Sequence, residues 1–104
     1  MKMLSTLVMA SALVLAAQPA LAGDPAKGKA TFAAKGCIGC HGAGGVSTNK
    51  AYPTLKGRTE AFVSENLANF RSGKRKNPTM NAMAAGLSDD DIANLAAYIG
   101  SLSN

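Results

Sequence analysis

The sequence has few of the residues that usually build or staple a small core. Among its 104 residues are no tryptophan, three phenylalanines, two tyrosines and two cysteines. Two cysteines close at most one disulfide, which excludes a disulfide-rich scaffold. No apolar run reaches the roughly 18 residues of a membrane-spanning helix, and the aromatic residues are not interleaved with basic ones as in a base-stacking surface. The sequence therefore predicts neither a stable membrane anchor nor nucleic-acid binding.

Residues 1–22 have the three parts of a secretory signal peptide. Lys2 gives a positive start, an apolar stretch follows, and Ala20-Leu21-Ala22 is an A-x-A cleavage site. We predict cleavage after Ala22 and a periplasmic mature domain of residues 23–104. A domain of about 80 residues with so few aromatics has a small core, so a bound cofactor is expected to help fill it.

Capping signals predict three main helices in an otherwise irregular chain. Asp24-Pro25 combines an N-cap carboxylate with Pro at the first helical position. A second helix is predicted from Thr59-Glu60 to Gly73, and Ser88 with Asp91 predicts a capping box that opens a third. No convincing strand-like alternation is present, so the predicted fold class is all-α. Long loops in so small a domain are typical of chains that wrap a ligand.

The segment Cys37-Ile38-Gly39-Cys40-His41 is the C-x-x-C-H pattern of haem c attachment. Two thiols at this spacing can lie on one face of a helical turn and add to the two vinyl groups of a porphyrin. The imidazole of His41 then follows directly as an axial ligand to iron. The sequence therefore predicts one covalently attached haem c, with Cys37 and Cys40 as thioether anchors and His41 as a metal ligand.

Three other uses of the cysteines fit less well. A thioredoxin-like dithiol belongs near a βαβ pattern, which this chain does not show. A structural zinc site needs four ligands, but the mature chain offers two Cys and one His. A disulfide between Cys37 and Cys40 would close a very short loop and stabilise the fold little.

Composition alone does not identify the sixth iron ligand. Met80 and Met83 are the methionines of the mature chain, and both lie in a segment predicted as a loop after Asn77-Pro78. A thioether raises the reduction potential relative to a second histidine, but an isolated Met is more often core filler.

The chain resembles the class I c-type cytochromes, specifically the small bacterial group of cytochromes c-553, c5 and c4 domains. Gly28-x-x-x-Phe32, ahead of the C-x-x-C-H segment, is similar to the N-terminal helix of that family. Leu95-x-x-Tyr98 is similar to the C-terminal helix that crosses it, with the glycine permitting close approach. The resemblance implies a class I cytochrome c fold with three main helices and irregular loops around one covalent haem.

The resemblance also implies roles for further residues. The segment from Tyr52 to Gly57 is similar to the P-x-L-x-G loop of the family, in which the carbonyl of the proline, here Pro53, accepts a hydrogen bond from the ligand imidazole. The position of the ligand methionine in the family implies Met80 as the sixth ligand, with Met83 as the fallback. The candidate walls of the haem crevice are Ile38, Leu55, Phe62, Leu67, Phe70 and Leu87.

The function implied is a soluble one-electron carrier in which iron cycles between Fe(II) and Fe(III), not an enzyme. The alternative is a haem-based ligand sensor or a peroxidase-like enzyme with a labile Met ligand. The formal net charge is +5, and the basic run comprises Arg71, Lys74, Arg75 and Lys76. This run predicts either a docking rim for acidic redox partners or a solvated turn, on a protein expected to be a monomer.

Overall fold

The computed structural model describes residues 23–102, and within that range it has five α-helices and one 3₁₀ turn. The helices are α1 Pro25–Ala34, α2 Cys37–His41, α3 Glu60–Ser72, α4 Pro78–Ala85 and α5 Asp89–Gly100, and the 3₁₀ turn is Ala43–Gly45. The described residues form no β-strand, so the all-α prediction is confirmed. The signal peptide predicted at residues 1–22 lies outside the described residues.

Side-chain caps start the three helices that the sequence predicts. A carboxylate oxygen of Asp24 accepts a hydrogen bond from the Ala26 amide at 2.9 Å, which caps α1. The Thr59 hydroxyl caps α3. In the capping box of α5, the Ser88 hydroxyl accepts from the Asp91 amide and the Asp91 carboxylate accepts from the Ser88 amide, both at 3.0 Å. Each cap satisfies a backbone N–H that has no partner inside its own helix.

Helices α1 and α5 cross at Gly28. A Cβ atom built on Gly28 would lie 1.9 Å from the backbone oxygen of Asn94 and 2.7 Å from Cβ of Tyr98. No other residue type would fit at this distance, so the predicted close approach of the two helices is confirmed. Beside the crossing, the rings of Phe32 and Tyr98 are tilted by 58° with centroids 5.5 Å apart.

Helix α3 packs against both α5 and α4, so the second half of the core lies between these three helices. The Arg71 side chain on α3 donates to the Leu87 carbonyl at 3.1 Å and to the Asp89 carboxylate at 2.7 Å. It thereby holds the end of α3 beside the start of α5. The main buried cluster comprises Phe32, Val63, Phe70, Ala84, Leu87, Ile92, Leu95, Ala96, Tyr98 and Ile99.

The segment with the two methionines is a helix, and its prediction as a loop is wrong. Helix α4 covers both Met80 and Met83. Asn77 is its N-cap, with the side-chain oxygen accepting from the Met80 amide at 3.0 Å, and Pro78 stands in the first turn. The physical reason is the same pairing of a capping side chain with proline that starts α1.

Candidate functional site

The C-x-x-C-H segment forms the short helix α2, which a left-handed glycine separates from α1. Gly36 has φ of +82°, a conformation that glycine adopts without strain, and it lets the chain turn directly from α1 into α2. On a five-residue helix, positions i, i+3 and i+4 share one face. Cys37, Cys40 and His41 therefore lie on a common side.

His41 is buried, with 8% of its surface exposed. Its Nδ1 lies 2.8 Å from the carbonyl oxygen of Pro53. A carbonyl only accepts hydrogen bonds, so Nδ1 carries the proton and donates to it. In the neutral imidazole this leaves the lone pair on Nε2, the nitrogen through which the ring can then coordinate a metal.

Cys37 and Cys40 are half-buried, and no disulfide joins them. Burial raises the pKa of the Cys37 thiol, because the charged thiolate is poorly solvated there. Within residues 23–102, no three His, Cys, Asp or Glu side chains converge as a metal-binding group. Both thiols are thus free, and they lie on the same side of α2 as His41.

Two adjoining cavities, of about 230 and 160 Å³, lie beside α2. They form one cleft, because Cys37, His41, Pro53, Leu67, Asn77 and Met80 line both of them. The walls are otherwise mainly apolar, and in the larger cavity they include Phe32, Leu55, Phe62, Val63, Phe70, Leu95 and Ile99. An apolar cleft with a half-buried thiol, an imidazole nitrogen and a thioether along its lining fits a covalently attached haem.

The two methionines differ in how they meet the cleft. Met80 is half-buried and lines both cavities, whereas Met83 is 40% exposed and lines only the smaller one. The structure thus brings Met80 and His41 to the same cleft and places Met83 at its edge, near Gly36.

Five of the six wall residues predicted from the sequence line the cleft. Leu55, Phe62, Leu67 and Phe70 line the larger cavity, and Leu87 lines the smaller. Ile38 lines neither cavity and is 41% exposed, so its prediction as a wall is wrong. The cause is its place on α2, off the face that Cys37, Cys40 and His41 share.

Arg58 and Arg75 line the larger cavity as well, and sequence reasoning did not place them there. Their guanidinium carbons each lie 4.7 Å from the centre of an aromatic ring, Phe62 and Phe70 respectively. Among the described residues, neither arginine forms a salt bridge with a carboxylate. Two stacked cations at an apolar cleft suit a ligand that carries carboxylates of its own, as haem does in its two propionates. The basic run was the only sequence signal for Arg75, and it predicted an exposed residue. Arg75 is exposed and lines the cavity as well.

The chain belongs to the cytochrome c family, whose family model matches residues 25–103. The predicted resemblance to class I cytochromes c is confirmed, and with it an electron-carrying protein with one covalently bound haem c.

Three proteins illustrate this similarity. Cytochrome c-554(548) of Halomonas halodenitrificans is 40% identical over 68 residues, covering 62% of this chain and 82% of the relative. A thiosulfate dehydrogenase electron acceptor of Thiomonas intermedia is 41% identical over 70 residues, which cover 66% of this chain and 32% of that protein. The structure of Acidithiobacillus ferrooxidans cytochrome c4 matches with a TM-score of 0.70 at 26% identity, covering 80% of this chain and 52% of that one. The chain therefore spans most of the first relative, a third of the second and about half of the c4 chain.

Proposed function

We propose that the protein is a periplasmic one-electron carrier in which His41 and Met80 are the axial ligands of a haem c held by Cys37 and Cys40. The observation that carries this proposal is that His41 and Met80 line the same two adjoining cavities, together with Cys37. When bound, the haem supplies the one-electron chemistry by cycling between Fe(II) and Fe(III).

The residues of the chain orient the ligands and shape the cleft. The hydrogen bond to Pro53 fixes the ring of His41 and makes its Nε2 a better donor to iron. The apolar walls exclude water, which favours the less charged ferrous state and raises the reduction potential. Arg58 and Arg75 would bind the haem carboxylates at the larger cavity.

A carrier fits this ligand set better than an enzyme or a ligand sensor. With His41 and Met80 both holding the iron, no ligand position would be left for a substrate or a gas. A sensor or a peroxidase-like enzyme would require Met80 to leave the iron. Met80 is anchored in a capped helix, which supports the carrier.

Redox proteins are the proposed partners, in keeping with the relative named as an electron acceptor of thiosulfate dehydrogenase. The structure separates the basic run into two kinds of residue. Arg71 is bound to Asp89 and to a backbone carbonyl, and Arg75 stacks on a ring at the cavity. Lys74 and Lys76, on either side of Arg75 in the sequence, are exposed and form no side-chain ion pair within the described part of the chain. We assign to these two lysines the role of steering an acidic partner.

Export is part of the proposal. Residues 1–22 carry the signal features, and among residues 23–102 no helix has the length and apolar character needed to cross a bilayer. Intact mass analysis of the periplasmic fraction should give a chain beginning at Gly23 and carrying one covalent haem. A chain that retains residues 1–22, or one without haem, would contradict this.

The ligand assignment is tested with a matched pair of variants, Met80→Ala and Met83→Ala, in the holoprotein. Ferric wild type should show the weak near-infrared charge-transfer band of a methionine sulfur bound to iron. Met80→Ala should lose this band and bind carbon monoxide rapidly in the ferrous state, because it opens a coordination position. Met83→Ala should keep the band. Loss of the band in Met83→Ala alone would assign the other sulfur, and its absence from wild type at neutral pH would favour the sensor or enzyme.

A further inference from the structure

The side chain of Asn81 ties three parts of the chain together next to Met80. Its Nδ2 donates to the carbonyl oxygen of Phe70 at 2.9 Å and to that of Arg75 at 2.8 Å. Its Oδ1 accepts from the backbone amide of Asn77 at 2.9 Å. One amide group thus joins the end of α3, the following loop and the start of α4.

The chemistry of these partners requires asparagine. Both partners of Nδ2 are carbonyl oxygens and the partner of Oδ1 is an N–H, so exchanging N and O in the amide would break all three bonds. Aspartate has the same size, but it would place a carboxylate oxygen against the carbonyls of Phe70 and Arg75. Alanine would leave those two carbonyls and the Asn77 amide without these partners.

The contacts continue from Asn81 to Met80 through Asn77. The Asn81 backbone amide donates to the Asn77 carbonyl at 2.7 Å, and the Asn77 side chain accepts from the Met80 amide at 3.0 Å. Asn77 and Asn81 therefore hold each other from both ends of the first turn of α4, with Met80 between them. The turn is fastened to α3, whose residues Leu67 and Phe70 line the same cleft as Met80.

We propose that Asn81 is a positioning residue that holds Met80 in place as a ligand and resists its replacement by an external one. This inference rests on the proposed His41 and Met80 ligation. An external ligand binds only after Met80 leaves the iron. A substitution that shifts the equilibrium from bound towards released Met80 by a given factor therefore increases the apparent affinity for the external ligand by that factor, as long as the released form is rare.

The test is the binding of imidazole to the ferric holoprotein, followed by loss of the methionine charge-transfer band. Asn81→Ala should bind imidazole about tenfold more tightly or better, since three hydrogen bonds to the turn are lost. Alanine is the better helix former, so an Asn81 side chain without a positioning role would give an unchanged or weaker affinity. Covalent attachment keeps haem on the variant even when Met80 is loosened.

Two further variants separate positioning from general stability. Asn81→Asp keeps an acceptor for the Asn77 amide but places a carboxylate oxygen against the carbonyls of Phe70 and Arg75. It should raise the affinity for imidazole at least as much as Asn81→Ala does. It also replaces Asn81→Ala in the test if that variant does not accumulate. Asn94→Ala removes the side-chain oxygen on α5 that accepts a hydrogen bond from the backbone amide of Asp24, the N-cap of α1, and Asn94 lines neither cavity. It should lower the urea midpoint of unfolding without changing imidazole affinity.

The outcomes distinguish the two proposals. A wild-type protein without the methionine band refutes the proposed ligation and this inference with it. A wild-type protein with the band, and an imidazole affinity unchanged in the Asn81 variants or raised equally in Asn94→Ala, refutes only the role of Asn81.

Discussion

Replacing Gly28 with alanine should destabilise the protein although alanine is the better helix former. The added Cβ would lie 1.9 Å from the Asn94 backbone oxygen and 2.7 Å from Cβ of Tyr98. The first of these neighbours belongs to the backbone of α5 and cannot rotate away. The two helices would have to separate by about 1.5 Å to restore an ordinary contact.

The net effect follows from two opposing terms. Alanine in place of glycine inside a helix gains about 1 kcal/mol. Overpacking a well-filled contact costs about 1–3 kcal/mol, and a backbone obstacle puts this case at the upper end of that range. The expected loss is therefore about 2 kcal/mol, which for a domain of this size lowers Tm by roughly 8–16 °C.

The assay is urea and thermal unfolding of the holoprotein followed by far-ultraviolet circular dichroism, with Gly86→Ala as the matched control. Gly86 has φ of −90°, and a Cβ there meets no atom within 4 Å. The control should change stability little. If Gly28→Ala were as stable as the wild type, the close crossing of α1 and α5 would be refuted. A loss of stability as large in Gly86→Ala would show that the effect is not specific to the crossing.

Three further predictions concern the caps and the charges. Ser88→Ala removes half of the capping box and should cost about 1 kcal/mol in urea unfolding; an unchanged midpoint would contradict a stabilising role for the cap. Arg75→Gln should lower the reduction potential by up to about 59 mV in voltammetry, because a cation at the cleft favours Fe(II). Arg71→Gln is its control, since Arg71 is already paired with Asp89, and equal shifts in both variants would argue against a special place for Arg75. Converting Lys74 and Lys76 together to Glu should slow electron exchange with an acidic partner at low salt and flatten its salt dependence, and an unchanged rate and slope would exclude docking there.

Local signals in the sequence were sufficient for α1, α3 and α5. Each begins at a side chain that caps its own first turn, so the information lies within a few residues. Helix α4 was missed even though Asn77-Pro78 has the same form as Asp24-Pro25. The segment after it is predicted as a loop, whereas in the structure it packs on α3, and such tertiary packing stabilises a helix that is too short to be stable alone.

The remaining features of the site depend on residues far apart in the chain. Arg71 and Asp89 are 18 residues apart, and Asn81 reaches back 11 residues to Phe70. The place of Arg58 and Arg75 beside the cleft follows from how α3 lies against it. Periodicity and capping patterns do not predict contacts between residues so far apart in the sequence. The C-x-x-C-H segment, in contrast, has all of its reactive groups within five residues.

The crossing of α1 with α5 joins the two ends of the described chain, and this sets an order of events in folding. The contact between Phe32 and Tyr98 can form only when nearly the whole described chain is present. Its formation therefore costs the conformational entropy of closing a long loop. A chain that is released N-terminus first therefore has Cys37 and Cys40 available before α5 is present to close the core. We therefore expect the crossing of α1 with α5 to be a late contact in folding, and the thiols of α2 to be more accessible in a chain that does not yet have α5.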